Sequence, residues 1–374
     1  MASQTHNPAS TDARIVISVD AMGGDKGPAA VVAGLVASIA RLPDLDVILH
    51  GDESVLQPLL AHERTLAQRV TLRHAARVVT MEDKPSQVMR HGLGTSMWAT
   101  IEAVRDGEAA AAVSCGNTGA LMAVSMLRLR KLPGVGRPAI ASLFPTPGGD
   151  KQNVMLDMGA DVKADPANLL QYAVMGVSYA RNGMGLARPR VGLLNVGTEE
   201  HKGRPELHEA NGLLARHAAT GEFDYIGYVE GTDILSERVD VIVTDGFTGN
   251  VALKTAEGTA RLVSSLMRQA LTSTVFSRLG ALLAARALRR LQRRIDPRRV
   301  NGGVFLGLKG TVVKSHGGAD ATGIAAAIGL AHRLAKAGLT ERIAARVASF
   351  EAAGQDAASG GPGNDAGTGS VSSE

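Results

Sequence analysis

Residues 15–25 read Ile15-Val-Ile-Ser-Val-Asp-Ala-Met-Gly-Gly-Asp25, a short apolar run that passes into a polar loop with two glycines. A helical pattern follows over Pro28–Ala40, and Pro28 suits the first helical turn, where a missing N–H costs nothing. A short apolar strand followed by a helix is the unit from which parallel sheets are built. The stretch therefore predicts an α/β fold.

The same pattern recurs four more times. The apolar runs and the helical patterns after them are Ala109–Val113 with Ala120–Leu129, Val154–Leu156 with Pro166–Ala180, Val191–Leu194 with Glu206–His217, and Val239–Val243 with Val251–Met267. Shorter apolar runs predict further strands at Val47–Leu49, Tyr225–Tyr228 and Thr311–Val313. This alternation predicts a three-layer α/β/α fold with a mostly parallel sheet covered on both faces. Because loops that follow parallel strands share one sheet edge, we expect the five loops to meet in one cleft.

The composition is that of a soluble globular protein. The chain has 374 residues, 45% hydrophobic and 20% charged, which is enough to bury a large core without covalent staples. Its single cysteine, Cys115, excludes a disulfide framework and a multi-cysteine metal site. No metal-ligand spacing occurs, so we predict neither a metal nor a cofactor. Aromatic residues are only 3%, which argues against a stacking surface for nucleic acid.

The ends of the chain differ from its middle. Residues 1–13 are polar, and residues 351–374 are rich in Gly, Ser, Ala and Asp, so we expect both tails to be disordered. The segment between them, residues 14–350, is predicted to form one α/β/α domain. No apolar run is long enough for a signal peptide or a membrane span, which predicts a cytoplasmic protein.

The glycine-bearing loops suggest a common ligand chemistry. Glycine lets a ligand approach the backbone closely, and a helix start supplies free N–H groups and the positive end of a dipole. Together these features favour phosphate or carboxylate. One such loop is weak support, since any strand-to-helix turn uses these residues, but several in one chain favour an anion-handling cleft. No Walker-type phosphate loop and no nucleophile-elbow motif occurs.

A basic segment near residues 271–300 breaks the otherwise even charge distribution, with eight arginines and one acid, Asp296. Leu279, Leu282 and Leu283 share one side of a helix, whereas Leu288 and Ile295 share a side that would lie nearly opposite on the same helix. A break between Leu283 and Leu288 resolves this conflict and predicts a protruding amphipathic helical hairpin over about residues 268–300. The arginines expected opposite the second apolar stripe include Arg289, Arg290, Arg293 and Arg294.

A basic amphipathic helix is typical of a membrane surface or of an interface with an acidic protein. Anionic lipids and acidic carrier proteins attract it equally, so charge alone does not separate them. A solvated face on a helix that packs in a dimer is the third interpretation. Nucleic acid is not expected as a partner, because aromatic residues are few and the basic patch is confined to one segment.

Four motifs carry a resemblance to a known family. They are Val19-Asp-Ala-Met-Gly-Gly-Asp25, Gly116-Asn-Thr-Gly-Ala-Leu-Met122, Gly192-Leu-Leu-Asn-Val-Gly-Thr-Glu199 and Val243-Thr-Asp-Gly-Phe-Thr-Gly-Asn250. In order and spacing they resemble the signatures of the bacterial phosphate acyltransferases of phospholipid synthesis, the PlsX family. The likeness runs from about Arg14 to about Ala345.

The resemblance implies a reaction in which acyl-[acyl carrier protein] and inorganic phosphate give acyl phosphate and free carrier protein. It implies a fold related to isocitrate and isopropylmalate dehydrogenases and to phosphotransacetylase. It also implies a homodimer on the cytoplasmic face of an anionic membrane, which passes acyl phosphate to a membrane glycerol-3-phosphate acyltransferase. Three alternatives stay open: a phosphotransacetylase-type enzyme that uses acyl-coenzyme A, a non-catalytic membrane-recruited scaffold, and a dehydrogenase, for which no credible nicotinamide fingerprint occurs.

Within this resemblance the loop residues receive expected roles around phosphate. The expected cradle is Asn117 and Thr118 with the backbone of Gly116 and Gly119. A second wall consists of Asn195, Thr198 and Lys202, and a third of Asp245, Thr248 and Asn250. The floor consists of Asp20, Gly24 and Asp25. Lys202 supplies positive charge, and with Asn117 and Asp245 it is expected to act in catalysis. Asp157 is expected to contact substrate. Three interpretations of Asp157 and Asp245 stay open: they orient hydrogen-bond donors, one of them acts as a base, or they only cap helices and turns.

Two residues depart from the family pattern. The position of Cys115 is usually Ala, which indicates that the thiol is a small apolar filler rather than a nucleophile. Asp161 stands where the family usually has Asn. If that Asn contacts phosphate, an Asp would repel it, so no role in substrate binding is assigned to Asp161.

We predict that Cys115→Ala retains phosphate-dependent release of thiol from an acyl donor at close to the wild-type rate, because a filler contributes volume and not chemistry. The assay is thiol release with and without phosphate, measured on a variant shown by circular dichroism to be folded. An inactive but folded variant would mean that the thiol takes part in the reaction.

Overall fold

The computed structural model describes residues 14–148, 151–295 and 302–359, and it describes side chains over residues 14–148, 151–291 and 302–353. The tail predicted over residues 1–13 and the side chains of Arg293 and Arg294 lie outside these ranges. The other predicted tail overlaps them, since a helix continues through residue 351 to Ser359.

One sheet of eleven strands runs through the molecule. Its strands are β1 (Ile15–Asp20), β2 (Leu45–Gly51), β3 (Val70–His74), β4 (Ala111–Ser114), β5 (Ala139–Pro145), β6 (Gln152–Leu156), β7 (Arg190–Leu194), β8 (Asp224–Val229), β9 (Val241–Val243), β10 (Gly303–Leu306) and β11 (Thr311–Lys314). Their order across the sheet is β3-β2-β1-β4-β11-β10-β5-β6-β9-β7-β8. All eight strands that the sequence predicts are present.

The sheet contains a reversal of strand direction that the sequence analysis does not predict. The pairs on either side are parallel, including β1 with β4 and β7 with β9, but β10 is antiparallel to both β11 and β5, and β5 is antiparallel to β6. Strands β6, β9 and β7 therefore run opposite to β1, β4 and β11. The sheet is mostly parallel, as predicted, but it has two halves of opposite direction.

Twelve helices are present in the described ranges. They are α1 (Gly27–Ile39), α2 (Glu53–Ala61), α3 (Pro85–His91), α4 (Ser96–Arg105), α5 (Thr118–Arg128), α6 (Pro166–Met184), α7 (Pro205–His217), α8 (Gly246–Thr272), α9 (Val275–Leu283), α10 (Ala285–Ile295), α11 (Ala321–Lys336) and α12 (Leu339–Ser359). Pro28 and Pro166 lie in the first turns of α1 and α6, as the sequence predicts.

The strands bury their side chains in two separate cores, one on each face. Val313 and Leu156 point into the core that α1, α6, α7, α11 and α12 cover, whereas their neighbours Val312 and Met155 point into the core that α4 and α5 cover. This alternation follows from the two-residue period of a strand. It confirms the predicted three-layer α/β/α arrangement.

Helix α8 belongs to the α4 and α5 face, but it packs there incompletely. Of its residues only Gly246 and Gly249, in the first turn, are buried. Ala252, Leu253 and Ala256 are partly buried against the second core. The rest of the helix leaves a gap above the sheet.

Helices α9 and α10 follow α8, and α9 exposes a run of large apolar side chains, Val275, Phe276, Leu279, Leu282 and Leu283. The predicted helix break lies at Ala284, between Leu283 at the end of α9 and Ala285 at the start of α10. The exposed fractions of Leu279, Leu282 and Leu283 are 56%, 72% and 83%.

Candidate functional site

A groove with a volume of about 900 Å³ lies between α8 and the sheet. Its floor comes from β5 and the residues after β6, and its wall comes from α8. Most of this lining is apolar and includes Ile140, Leu143, Phe144, Met158, Leu253 and Ala256. A cavity of this size and character fits a large apolar ligand rather than a small ion alone.

The glycine-bearing loops form two groups, because the strands before them end at different edges of the sheet. The first group follows β1, β4 and β11. Its glycines allow backbones to approach closely, since a Cβ placed on Gly23 would lie 2.8 Å from the amide nitrogen of Gly116. The amide of Asp25 donates to the carbonyl oxygen of Gly317 at 2.8 Å, so the loop after β11 belongs to this group.

Asp20 lies at the base of the first group and is buried. Its carboxylate accepts hydrogen bonds from the Oγ of Ser114 at 2.7 Å and from the amide of Met22 at 3.1 Å. Burial raises the pKa of Asp20, although the bond from Ser114 opposes this effect. The carboxylate ties β1 to β4, which is a structural role beneath the loops.

Asn117 caps α5 with all of its side-chain polar atoms engaged. Its Oδ1 accepts from the amide of Ala120 at 3.1 Å, and its Nδ2 donates to the carbonyl oxygens of Met81 and Asp83 at 2.8 and 3.1 Å. The next two residues, Thr118 and Gly119, are exposed and line the groove. Asn117 therefore positions the first turn of α5, and Thr118 and Gly119 present that turn to the groove.

The second group of loops follows β6, β7 and β9, with Asp157 at its centre. Four backbone N–H groups, of Ile140, Gly159, Ala160 and Asp161, donate to the buried Asp157 carboxylate. Burial raises the pKa of Asp157 to about 6 against the effect of these bonds. All of these donors are structural, so the carboxylate fixes the loop after β6.

Asp161, the departure from the family pattern, also belongs to the second group. Its carboxylate accepts from the hydroxyl of Tyr172 at 3.1 Å, and its carbonyl oxygen accepts from the amide of Gly246 at 2.8 Å. Asp161 is buried and is not part of the groove lining. Its charge therefore does not face a ligand in the groove.

Asp245 caps α8 and holds the loop after β7. It accepts from the amide and the hydroxyl of Thr248 and forms an ion pair with Arg204. Burial raises the pKa of Asp245, but the bonds from Thr248 and Arg204 outweigh burial and leave it below its ordinary value. These contacts favour the capping interpretation over a free base.

None of the predicted residues in the loop after β7 lines the groove. Asn195 is buried and donates to the carbonyl oxygens of Gly197 and Lys202 at 3.1 and 2.8 Å. The Lys202 amine is exposed and lies 2.7 Å from the Glu199 carboxylate, and this contact raises the pKa of Lys202. Thr198 is exposed. Asn250, in the first turns of α8, lines the groove.

The expectation that all five loops meet in a single cleft is confirmed only in part, because the groove is lined by residues that follow β4, β6 and β9 but by none from the loops after β1 and β7. The groove nevertheless connects the two groups. It reaches Thr118 and Gly119 in the first group and Gly159 and Asn250 in the second. Lys202, Asn195 and Asp245 remain outside its lining, so their predicted contacts with phosphate stay predictions.

Sequence reasoning missed a polar cluster at the first-group end of the groove. Lys314 ends β11, Ser315 and His316 follow it, and Lys254 and Glu257 reach the same end of the groove from α8. A signal was available, since the predicted strand Thr311–Val313 is followed by Lys-Ser-His-Gly-Gly, which is the same passage from apolar run to glycine loop.

No group of three His, Cys, Asp or Glu side chains within the described part of the chain is arranged to hold a metal ion. Among its helices, none has the length and apolar character that crossing a bilayer requires.

A protein-family model described as "Fatty acid synthesis protein" matches residues 15–342, which is most of the chain. The chain belongs to this family. Curated relatives named phosphate acyltransferase include one from Cereibacter sphaeroides strain KD131, 66% identical over 96% of each chain. Others come from Paracoccus denitrificans, 66% identical over 91% of this chain and 92% of the relative, and Ruegeria pomeroyi, 62% identical over 96% of each. The resemblance drawn from the four motifs is confirmed.

Solved structures with the same fold include phosphotransacetylases. EutD phosphotransacetylase from Staphylococcus aureus aligns with a TM-score of 0.55 at 17% identity, covering 87% of this chain and 94% of that one. A phosphotransacetylase from Streptococcus pyogenes aligns with a TM-score of 0.57 at 16% identity, covering 86% of this chain and 94% of that one. At these identities the likeness shows the fold alone.

The glycines of the Thr244-Asp-Gly-Phe-Thr-Gly-Asn250 motif give a test of the second loop group. A Cβ on Gly249 would lie 1.9 Å from the carbonyl oxygen of Asp157, a backbone atom that cannot turn aside. We predict that Gly249→Ala destabilises the protein by about 1–3 kcal/mol, the usual cost of overpacking. The measurement is the midpoint of urea unfolding.

The matched control is Gly258→Ala on the same helix, where an added Cβ meets nothing within 4 Å. Removing an exposed helical glycine is expected to stabilise the protein by about 0.5–1 kcal/mol. Equal midpoints for the two variants would contradict the close approach of α8 to Asp157.

Proposed function

We propose that the protein transfers a fatty acyl group from acyl-[acyl carrier protein] to inorganic phosphate, giving acyl phosphate for phospholipid synthesis. A phosphate oxygen attacks the thioester carbonyl carbon, the C–S bond breaks, and the thiolate takes a proton to leave as the carrier thiol. The observation that carries this proposal is the groove, which is apolar along most of its length and ends in a cationic, glycine-lined cluster in a chain of this family.

The groove suits the acyl chain of the donor. Each methylene that it removes from water contributes about 0.8 kcal/mol, so a long chain gains much of its binding free energy here. The thioester then lies at the polar end, beside the first turn of α5. Neutral apolar walls add no charge that would repel phosphate.

The reaction requires little covalent chemistry from the protein. Phosphate is already a nucleophile at neutral pH, so the protein must hold it, aim it at the carbonyl and stabilise the oxyanion that forms. Alignment of two reactants contributes up to about 7–11 kcal/mol. Each oxyanion donor contributes about 3–4 kcal/mol. The N–H groups at the start of α5 have no intrahelical acceptors and are suitable donors.

The surroundings of the enzyme form the second part of the proposal. The protein acts as a homodimer in the cytoplasm, attached to the inner face of an anionic membrane, and it delivers acyl phosphate to a membrane glycerol-3-phosphate acyltransferase. Support comes from α9 and α10, where exposed Leu282 and Leu283 lie next to a helix that carries Arg289 and Arg290. Apolar side chains beside arginines match the boundary between acyl chains and anionic headgroups.

The decisive assay is the release of carrier thiol from a long-chain acyl-[acyl carrier protein], with and without inorganic phosphate. We expect release that depends on phosphate and an acyl phosphate product, which hydroxylamine traps as the hydroxamate. The same chain offered on coenzyme A is the comparison. We expect kcat/KM to be at least about tenfold lower for coenzyme A, a difference of about 1.4 kcal/mol.

Faster turnover of acyl-coenzyme A would assign the protein to the phosphotransacetylase type instead. A folded protein that binds vesicles but releases no thiol with either donor would support the non-catalytic scaffold. A protein that oxidises a hydroxy acid with a nicotinamide cofactor would support the dehydrogenase interpretation.

Binding to membranes is tested with vesicles of phosphatidylglycerol and phosphatidylcholine, measured by flotation. We expect binding to anionic vesicles to fall at least about tenfold in the variant Leu282→Ser/Leu283→Ser, because two exposed leucines leave the bilayer. Arg289→Gln/Arg290→Gln is expected to weaken binding and to reduce its salt dependence. The control is Leu93→Ser, since Leu93 is an exposed leucine between α3 and α4 and outside the groove lining. Binding that neither double variant alters would contradict this surface.

A further inference from the structure

The charged side chains of the groove are concentrated at one end. Lys314 and His316 reach this end from β11 and the loop after it, and Lys254 and Glu257 reach it from α8. Glu257 lies between its neighbours, with one carboxylate oxygen 2.9 Å from Nε2 of His316 and the other 3.2 Å from Nζ of Lys254. Burial raises the pKa of Glu257, but these two contacts outweigh it and leave the pKa lowered, so the carboxylate is ionised.

Lys314 differs from its neighbours in this cluster. Within the described ranges no carboxylate forms an ion pair with its amine, which instead donates to the carbonyl oxygen of Ser315. A lysine that is partly buried in a groove without a paired carboxylate is unusual, because burying an ammonium group is costly. An anion that enters the groove would offset this cost.

The position of Lys314 follows from the sheet. Lys314 pairs in register with Ser114, the last residue of β4, and Val313 before it points into the opposite core. Lys314 therefore points toward the face on which α5 and α8 pack. Thr118 and Gly119 at the start of α5 line the same groove. The amine and the free N–H groups of α5 thus face one space.

We propose that Lys314 is the residue that binds the reacting phosphate dianion, at the polar end of the groove. This inference rests on the proposed function and assigns the positive charge that the sequence analysis gives to Lys202. Lys202 is exposed, lies outside the groove lining and already has Glu199 as a partner. Lys314 forms a charge-assisted hydrogen bond to a phosphate oxygen and directs the opposite side of the ion to the thioester.

The surroundings of Lys314 predict a dependence on pH. Burial lowers the pKa of Lys314 to about 8, with Lys254 acting in the same direction and Cys115, Asp25 and Asp20 acting against it. His316 and Glu257 are the other titratable groups at this end of the groove. Because a lysine is charged below its pKa, affinity for phosphate is retained below about pH 8 and falls as the pH rises further.

The experiment measures KM for phosphate and KM for the acyl donor in Lys314→Met, Lys314→Arg and Lys202→Met. Loss of one charge-assisted hydrogen bond is expected to raise KM for phosphate about 10- to 100-fold in Lys314→Met, with KM for the acyl donor changed less than about threefold. Lys314→Arg is expected to recover most of the loss. In this variant kcat/KM for phosphate should no longer fall above pH 8, because arginine stays charged.

The neutral control is Lys309→Met, since Lys309 is an exposed lysine in the turn between β10 and β11, outside the groove lining. If Lys314→Met does not fold, wild-type protein is treated with a lysine-acetylating reagent, with and without phosphate. Protection of Lys314 by phosphate, read by peptide mass spectrometry, then supports the proposal. Sulfate at equal ionic strength reports the effect of salt.

The possible results distinguish a failure of this inference from a failure of the proposed acyl transfer to phosphate. Wild-type protein that releases no thiol with phosphate overturns the proposed function. This inference alone is overturned if the wild-type protein is active but folded Lys314→Met has an unchanged KM for phosphate. It is likewise overturned if the wild-type protein is active but phosphate does not protect Lys314 from acetylation. A rise in KM for phosphate in Lys202→Met but not in Lys314→Met returns the role to Lys202.

Discussion

The antiparallel pairing at the centre of the sheet is the constraint on which the rest of the structure depends. β5 pairs with β10 on one side and with β6 on the other, and both pairs are antiparallel, with Ser142 opposite Met155 and Ile140 opposite Phe305. β10 is also antiparallel to β11, so three successive antiparallel pairs separate two halves that are each parallel within themselves, and this odd number reverses the chain direction between the halves. The two loop groups, and the groove that spans the distance between them, follow from it.

The two loop groups share a type of construction but not a role. In each, a buried carboxylate holds the loops through hydrogen bonds: Asp20 in the first group, Asp157 and Asp245 in the second. These acids satisfy backbone N–H groups and helix starts that would otherwise be left without partners. The polar residues facing the groove are different ones, and they follow β11 or lie on α8. Asp20, Asp157 and Asp245 therefore hold the loops in place, and other residues line the groove.

The sequence predicts much of the fold because its signals are local. The strand and helix after each apolar run, the Pro28 and Pro166 helix starts and the break at Ala284 all depend on residues within a few positions. β5 and β10 carry no such signal, since each is a short apolar run that is followed by glycines and another strand rather than by a helix. Without these two strands the direction of the second half could not be predicted, and neither could the separation of Lys202 from Thr118. Lys314 carries a local signal of the same kind, because it directly follows the predicted strand Thr311–Val313 and precedes a glycine-bearing loop.

Helix α8 is fully buried only in its first turn, where Gly246 and Gly249 lie against the loop after β6, and its side chains pack partly against the core as far as Ala256. The helix is 27 residues and about 40 Å long, so most of its length lies beyond this buried first turn. The groove beside α8 is therefore open along the length of the helix as well as at its end. A long apolar ligand can therefore enter such a groove from the side, whereas a closed tunnel would require the ligand to be threaded from one end.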